Sequence, residues 1–247
     1  MAGKSTDYPK AQVKSARALG VQEASGLARL GDGSFLVVDD EHGIFRCMPD
    51  GSSAQLEAGK GLSDLEGIAI TPDGASAFVL SENDGSIWRF AIDDGDLHEG
   101  GRLGELPQLS KERNHGWEGI AIAPAGTFAA RMLLVAAHQT DPRRVGLFDT
   151  ETLKQNALLR LPKDAREAIG ELNGIAVDAG GRILLLSGKI GRIAEMRLEH
   201  GSLATVSVYR IETSKNDVPE GISIDAKGRV WVCTDGKGIL RQLELLP

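Results

Sequence analysis

The sequence predicts an all-β fold, a five-bladed β-propeller closed by an N-terminal outer strand, on three observations. First, a short polar or acidic residue followed by glycine and an aliphatic recurs five times: Ser25-Gly26-Leu27, Glu66-Gly67-Ile68, Glu118-Gly119-Ile120, Asn173-Gly174-Ile175 and Glu220-Gly221-Ile222. Second, these markers stand 41, 52, 55 and 47 residues apart, the length of a four-stranded blade. Third, each marker opens a similar unit: a short β run, usually a turn such as Asp73-Gly74, Gly180-Gly181 or Lys227-Gly228, then a more apolar run. No such unit buries its own apolar face alone, so the copies must stack into one array.

Taken in chain order, residues 1–12 are expected to be a loose N-terminal segment. Val13 to Leu19 alternates and precedes the first unit, whereas the last unit runs out at Pro247 after its third strand. The early segment therefore supplies the missing outer strand and removes two open sheet edges. An open sandwich would explain neither the five copies nor this complementary incompleteness. The innermost strands read Ala69-Ile70, Ala121-Ile122, Ala176-Val177 and Ser223-Ile224 with their flanks. The second strands read Phe35–Val38, Phe78–Leu80, Met132–Val135, Ile183–Leu186 and Val230–Cys233. These are continuous apolar runs, as expected where neighbouring blades cover both faces. Gly43–Arg46, Ser86–Phe90, Arg144–Phe148, Arg192–Met196 and Gly238–Arg241 form amphipathic returns; the fourth strands, such as Gly101–Leu103 and Thr205–Tyr209, are least regular. Pro162 to Gly170 holds good helix formers with weak amphipathicity and reads as a surface turn. The whole of 1–247 is read as one domain, with blades starting near 25, 66, 118, 173 and 220.

Bulk properties narrow the function. A net charge of −7 and 26% charged residues make a nucleic-acid backbone a poor partner. No run approaches the roughly 20 apolar residues of a membrane helix. Met1 to Lys10 is polar and no apolar stretch follows, unlike a signal peptide. The expected location is the cytoplasm at face value, or outside it if a leader was removed. Cys47 and Cys233 lack metal-ligand spacing and read as buried thiols, with a disulfide clasping the ring as the alternative.

The chemistry gathers at one mouth of the channel. Marker and end of second strand are 15 or 16 residues apart in four blades and 20 in the third, where Thr127 to Arg131 lengthens the hairpin. Antiparallel pairing then places both at one height. That mouth collects Glu66, Glu118 and Glu220, with Asp40, Glu82 and Asp235; Asn173, His138 and Lys189 join them. Each close carboxylate pair at ~4 Å costs on the order of 4 kcal/mol at an effective dielectric of ~20. Protons must be retained there, or a cation must sit there. Three readings stay open. Glu66, Glu118, Asn173 and Glu220 supply oxygens to a hard cation, calcium above all. The glutamates instead accept backbone N–H groups while Lys189 or Arg113 balances the charge. Or a carboxylate such as Glu118 does acid–base work with His138 or His115 nearby.

The glycine after each marker reads as steric: inner strands crowd the axis. His42, His98 and His200 read as solvated, Trp88 and Trp231 as packing residues, and Trp117 as a pocket wall. Ser81, Ser187 and Thr234 align with one another, but no nucleophile elbow accompanies them. No phosphate loop, zinc spacing or dinucleotide fingerprint is present.

The order of the markers, S-G-L, then D-x-E-G-I from Asp64, W-E-G-I from Trp117, L-N-G-I from Leu172 and P-E-G-I from Pro219, resembles the SdiA-regulated family of bacterial β-propellers from about Glu23 to Leu245. The resemblance implies a propeller of largely uncharacterised function, often exported or envelope-associated. A weaker similarity runs to regucalcin and gluconolactonase-type propellers. It implies a divalent cation at the channel mouth, with Asn173-Gly174 matching their N-G element and Glu66 or Glu118 their acid. The blade count departs, because that family has six. The expectation is thus a ligand-binding or interaction module with a calcium site, taking a small molecule or protein ligand at the mouth, without a membrane span. A metal-dependent esterase or lactonase is the alternative.

Overall fold

A computed structural model describes residues 8–59, 62–110, 116–141 and 143–246. Twenty strands form five four-stranded antiparallel sheets, the blades of a propeller. β1 (Gln12–Ala18) precedes the first blade, which consists of β2 (Ala24–Arg29), β3 (Phe35–Asp39), β4 (Gly43–Cys47) and β5 (Ser53–Gln55). The second blade is β6 (Leu65–Ile70), β7 (Ser76–Ser81), β8 (Ser86–Asp93) and β9 (Asp96–Glu105). The third is β10 (Trp117–Ala123), β11 (Leu133–His138), β12 (Arg144–Asp149) and β13 (Gln155–Arg160). After α1 (Lys163–Ala168) the fourth runs β14 (Gly174–Val177), β15 (Arg182–Ser187), β16 (Arg192–Glu199) and β17 (Ser202–Arg210). The last blade has the order β1-β20-β19-β18, from β18 (Val218–Ile224), β19 (Val230–Asp235) and β20 (Ile239–Glu244).

The outer strand of the last blade is thus the chain's own beginning, with Gln12 opposite Glu244 and Ala18 opposite Ile239. The stretch up to residue 12 is not loose over the described part. Ala11 N–H donates to the Arg210 carbonyl at 2.8 Å, Arg210 N–H to that of Pro9 at 2.8 Å, and Arg210 Nε to that of Tyr8 at 2.8 Å. Ala11 is buried in the same core cluster as Tyr209 and Ile211. The N-terminus therefore ties the fourth blade to the last.

Second strands carry the core: every residue of β3 and β11 is buried, as are Ile183 to Ser187 of β15. Their apolar side chains pack between sheets, for example Val79 of β7 with Leu36 and Val38 of β3. The surface turn expected at 162–170 is a helix, because Ala165 and Ala168 are buried against the third and fourth blades. Arg143 Nη1 closes its far end on the carbonyls of Ile169 and Gly170, the latter at 3.0 Å. Cys47 and Cys233 are free buried thiols in one core cluster, with no disulfide between them. Burial pushes the Cys47 thiol up to about 12 and Cys233 upward too, so neither is a thiolate at neutral pH. Among the described residues no helix is long and apolar enough to cross a membrane.

Candidate functional site

Inner strands begin and second strands end at the same mouth: Leu65 faces Ser81, Trp117 faces His138 and Val218 faces Asp235. At the marker the ladder slips. The register shifts across Ser25, Glu66, Glu118 and Glu220, leaving each as the extra residue of a β-bulge. A bulge leaves its residue unpaired and re-aims its side chain. In the fourth blade Asn173 stands just before β14, its N–H donating to the Leu186 carbonyl at 2.9 Å.

Immediately beyond, five glycines form the throat. A Cβ on Gly119 would lie 2.8 Å from Gly174 Cα, one on Gly174 2.8 Å from the Glu220 oxygen, and one on Gly221 2.9 Å from Gly26 Cα. One on Gly26 would meet the Glu66 oxygen at 2.9 Å, and one on Gly67 the Ile120 nitrogen at 3.0 Å. Any side chain would push neighbouring blades apart. The space enclosed there is about 10 Å³, against about 90 Å³ further along, between Leu27–Arg29 and Ile222–Ile224. The throat has room for about one water.

The acids feel one another. Glu118 is buried, at 5% exposure, and Glu66 and Glu220 keep part of their surface. Burial raises the Glu66 carboxyl to about 9, and the charges of Asp40, Glu82, Glu220 and Asp64 add to it. Burial raises Glu220 to about 8, Asp235 adds to this, and a hydrogen bond from Asn173 opposes it. Glu118 is raised well above the carboxylate range by burial, then by the charges of Glu66 and Glu82 and a hydrogen bond with Glu82. Asp40 is raised by burial and by Asp64, Glu23 and Glu41. Glu82 Oε1 accepts the Gly116 N–H at 3.3 Å. Burial and mutual repulsion therefore favour the protonated form of the three marker glutamates, and a bound cation would favour the carboxylates instead.

Several expected members sit differently. Asn173 Oδ1 accepts the Gly188 N–H at 2.9 Å, so its amide NH₂ is what faces Glu220. Lys189 does not balance the ring: its side chain is 75% exposed and lies 3.7 Å from Glu171. A lysine one residue into a turn follows the solvent, not the axis. His138 is buried beneath the mouth, its Nδ1 3.3 Å from the Thr140 carbonyl. Trp117 is no pocket wall. It is 2% exposed, sits edge-on to His138 and Phe148 at 5.3 and 5.5 Å, and donates Nε1–H to the Pro107 carbonyl at 3.0 Å. Arg113 and His115 lie outside the described residues.

Asp64 is a member that the reading of the sequence passed over. It adopts φ 60, donates its N–H to the Asp40 carbonyl at 2.7 Å and accepts the Glu82 N–H at 2.9 Å, so it knits the first two blades at the mouth. A non-glycine residue held left-handed at a site is a recurrent sign of function. Its signal was the acid two places before the second marker.

Five four-stranded blades around a glycine throat define a five-bladed β-propeller, one mouth of which is lined by carboxyl groups. The SdiA-regulated family model matches residues 12–236, and the chain belongs to that family. Among solved structures it is similar to the Myxococcus xanthus glutaminyl cyclase, with TM-score 0.71, 14% identity and 95% of each chain covered. It is also similar to a gluconolactonase-type protein, with TM-score 0.58, 15% identity, and 96% of this chain and 83% of that one covered. A chain of the nidogen/laminin complex gives TM-score 0.59 at 16% identity over 87% of this chain and 73% of that one. At such identities the likeness is one of fold. No curated protein sequence matches the chain.

Proposed function

We propose that the acidic mouth binds a divalent cation, calcium by the chemistry of its donors, and that the propeller is a ligand-binding or interaction module built around that site. One observation carries the reading: Glu66, Glu118 and Glu220 are bulge residues at one mouth, where each is perturbed by burial and by other acids, and their oxygens would have to draw closer together around the cation. A hard cation takes six to eight oxygens at about 2.3–2.6 Å and replaces the protons such a cluster must otherwise keep. Asn173 would join only by turning its amide, which now gives Oδ1 to the Gly188 N–H and NH₂ to Glu220. Asp40, Glu82 and Asp235 add the outer negative potential that draws a cation in. Bound calcium would leave coordination positions facing solvent, which a small molecule or protein ligand completes. Titration calorimetry and thermal melting test this. Calcium is expected to release or absorb heat and to raise the melting temperature, both effects being lost in Glu66→Gln. Calcium and magnesium that give no heat at millimolar concentration, with an unchanged melting temperature, end the reading.

A metal-dependent esterase or lactonase reading draws on a second feature. Glu118 shares a hydrogen bond with Glu82 and bulges beside the Trp117–His138 pair, so a carboxyl and an imidazole stand on adjacent strands. Metal-activated water with a neighbouring acid–base group is a hydrolytic arrangement. Glu118→Gln is expected to abolish turnover of an ester and lactone panel with calcium present while the fold persists. An intact protein that turns over none of the panel overturns this reading.

A further inference from the structure

The rim of the mouth carries a second cluster of different chemistry, from the connection into the first blade and from its β3–β4 turn. Among the described residues, Glu23, Glu41 and His42 are the three whose ligand atoms all lie within 4.8 Å of one another. All three are exposed. Acids alone would mean little there, because exposed carboxylates gather on many surfaces without a ligand. The imidazole and the group behind it are what differ. His42 Nδ1 lies 2.8 Å from Asp39 Oδ1, and Asp39 is only 3% exposed. The same oxygen accepts the N–H of Glu41 at 3.1 Å and of His42 at 2.9 Å, so the carboxylate is itself fixed. In the neutral ring a hydrogen bond from Nδ1–H to Asp39 would leave the lone pair on Nε2. A carboxylate behind an imidazole sets the tautomer and ring plane in this way for metal-bound histidines.

The backbone on both sides is tied down as well. Gln55 Nε2 donates to the His42 carbonyl, and Gly43 at φ 92 completes the turn. The Glu23 backbone carbonyl accepts the Asp40 N–H at 3.3 Å, and Glu23 forms a backbone β-bridge with Asp235 across the seam where the ring closes. The donors are therefore delivered by two hydrogen-bonded stretches of chain, and the exposed glutamate side chains can adjust.

We propose that Glu23, Glu41 and His42 form a transition-metal site of the zinc(II) class on the rim, separate from the oxygen donors at the axis. Imidazole nitrogen suits zinc, copper and nickel, whereas calcium and magnesium favour all-oxygen shells. Three protein ligands with the fourth tetrahedral position open match an exposed site. Ligand atoms around zinc stand roughly 3.3 Å apart, so the two glutamates have to close by about 1.5 Å, a rotamer adjustment for exposed side chains. The open position would take a water or a donor atom of whatever the propeller binds.

The site does not depend on the calcium reading, and the experiment keeps the two apart. Zinc is titrated into the full chain with excess calcium present, followed by calorimetry and by imidazole ¹H–¹⁵N spectra, with circular dichroism as the folding control. The expected result is one equivalent bound with the His42 ring resonances shifted. Affinity should fall about 10-fold or more in His42→Ala, while Asp39→Asn, with imidazole and glutamates intact, should weaken it about 10- to 100-fold. Glu118→Gln should bind zinc as the parent does. No zinc heat, binding unchanged in folded His42→Ala, or ring shifts confined to His138 would overturn the proposal.

Discussion

At the scale of single residues the protein keeps carboxyls where carboxylates are costly, and pH exposes that cost. Glu66 is raised to about 9 and Glu220 to about 8, both chiefly by burial, while an unfolded glutamate titrates near 4.5. A group with a raised folded value adds stability that is complete below its unfolded value and is lost as pH rises through the folded one. The melting temperature of the metal-free protein should therefore fall between about pH 5 and pH 9. The slope is up to about 1.4 kcal/mol per pH unit for each group that ionises alone. Glu66→Gln keeps a neutral donor and acceptor in the same volume, so its melting curve should be flatter over that range and more stable than the parent at pH 9. Scanning calorimetry at unit pH steps in chelator decides it; a parent and variant with parallel profiles would mean Glu66 is ionised and balanced by another charge. Saturating calcium should flatten the parent in the same way if the glutamates are its ligands.

At the scale of elements the first hairpin is held by an aspartate in four of the five blades, the third excepted. Asp32, Asp73, Asp178 and Asp225 each accept a backbone N–H two residues on, at 2.8–3.0 Å. Asp225 has become a seam as well. Its Oδ2 takes Arg229 Nε at 2.7 Å and Trp231 Nε1 at 3.1 Å, and lies 3.4 Å from Arg29 of the first blade. Arg29 in turn lies over the rings of Phe35 and Trp231. Asp225→Ala strands two guanidinium groups around a carboxylate site that is 8% exposed, and should cost about 3–5 kcal/mol in urea denaturation. Asp73→Ala, whose carboxylate serves only its own turn, should cost about 1 kcal/mol. The turn glycines and the apolar second strands made these hairpins legible in the sequence, because turn chemistry and burial both act within a few residues. The bulges were not legible: spacing put Glu66 and Glu118 at the mouth, but only pairing with the next strand reveals each as an extra residue. Trp117 was misread for the same reason, since its polar neighbours belong to the mouth while its ring packs with His138 and Phe148 inside.

At the scale of the whole molecule, closure decides everything else, because the throat exists only if the last blade meets the first. The spacing of the markers already implied five blades, and the missing strand at one end with a spare one at the other implied how they join. What spacing could not convey was that Tyr8 to Ala11 continue past the joint to the fourth blade, since those contacts are made by backbone groups of any sequence. The N-terminal clasp should therefore be worth more than one outer strand. Removing residues 1–18 deletes the ladder from Gln12–Glu244 to Ala18–Ile239 and the docking on Arg210, and leaves β20 as an open edge. The truncated chain is expected to unfold at lower urea, to lose the calcium response together with the mouth, and to regain both when a synthetic peptide of residues 8–19 is added, in proportion to peptide concentration. A truncated chain with an unchanged midpoint would mean that the blades close through their inner strands alone. A lowered midpoint with an intact calcium response would mean that the mouth is assembled without the ring, and that burial at the throat is not what gathers the glutamates.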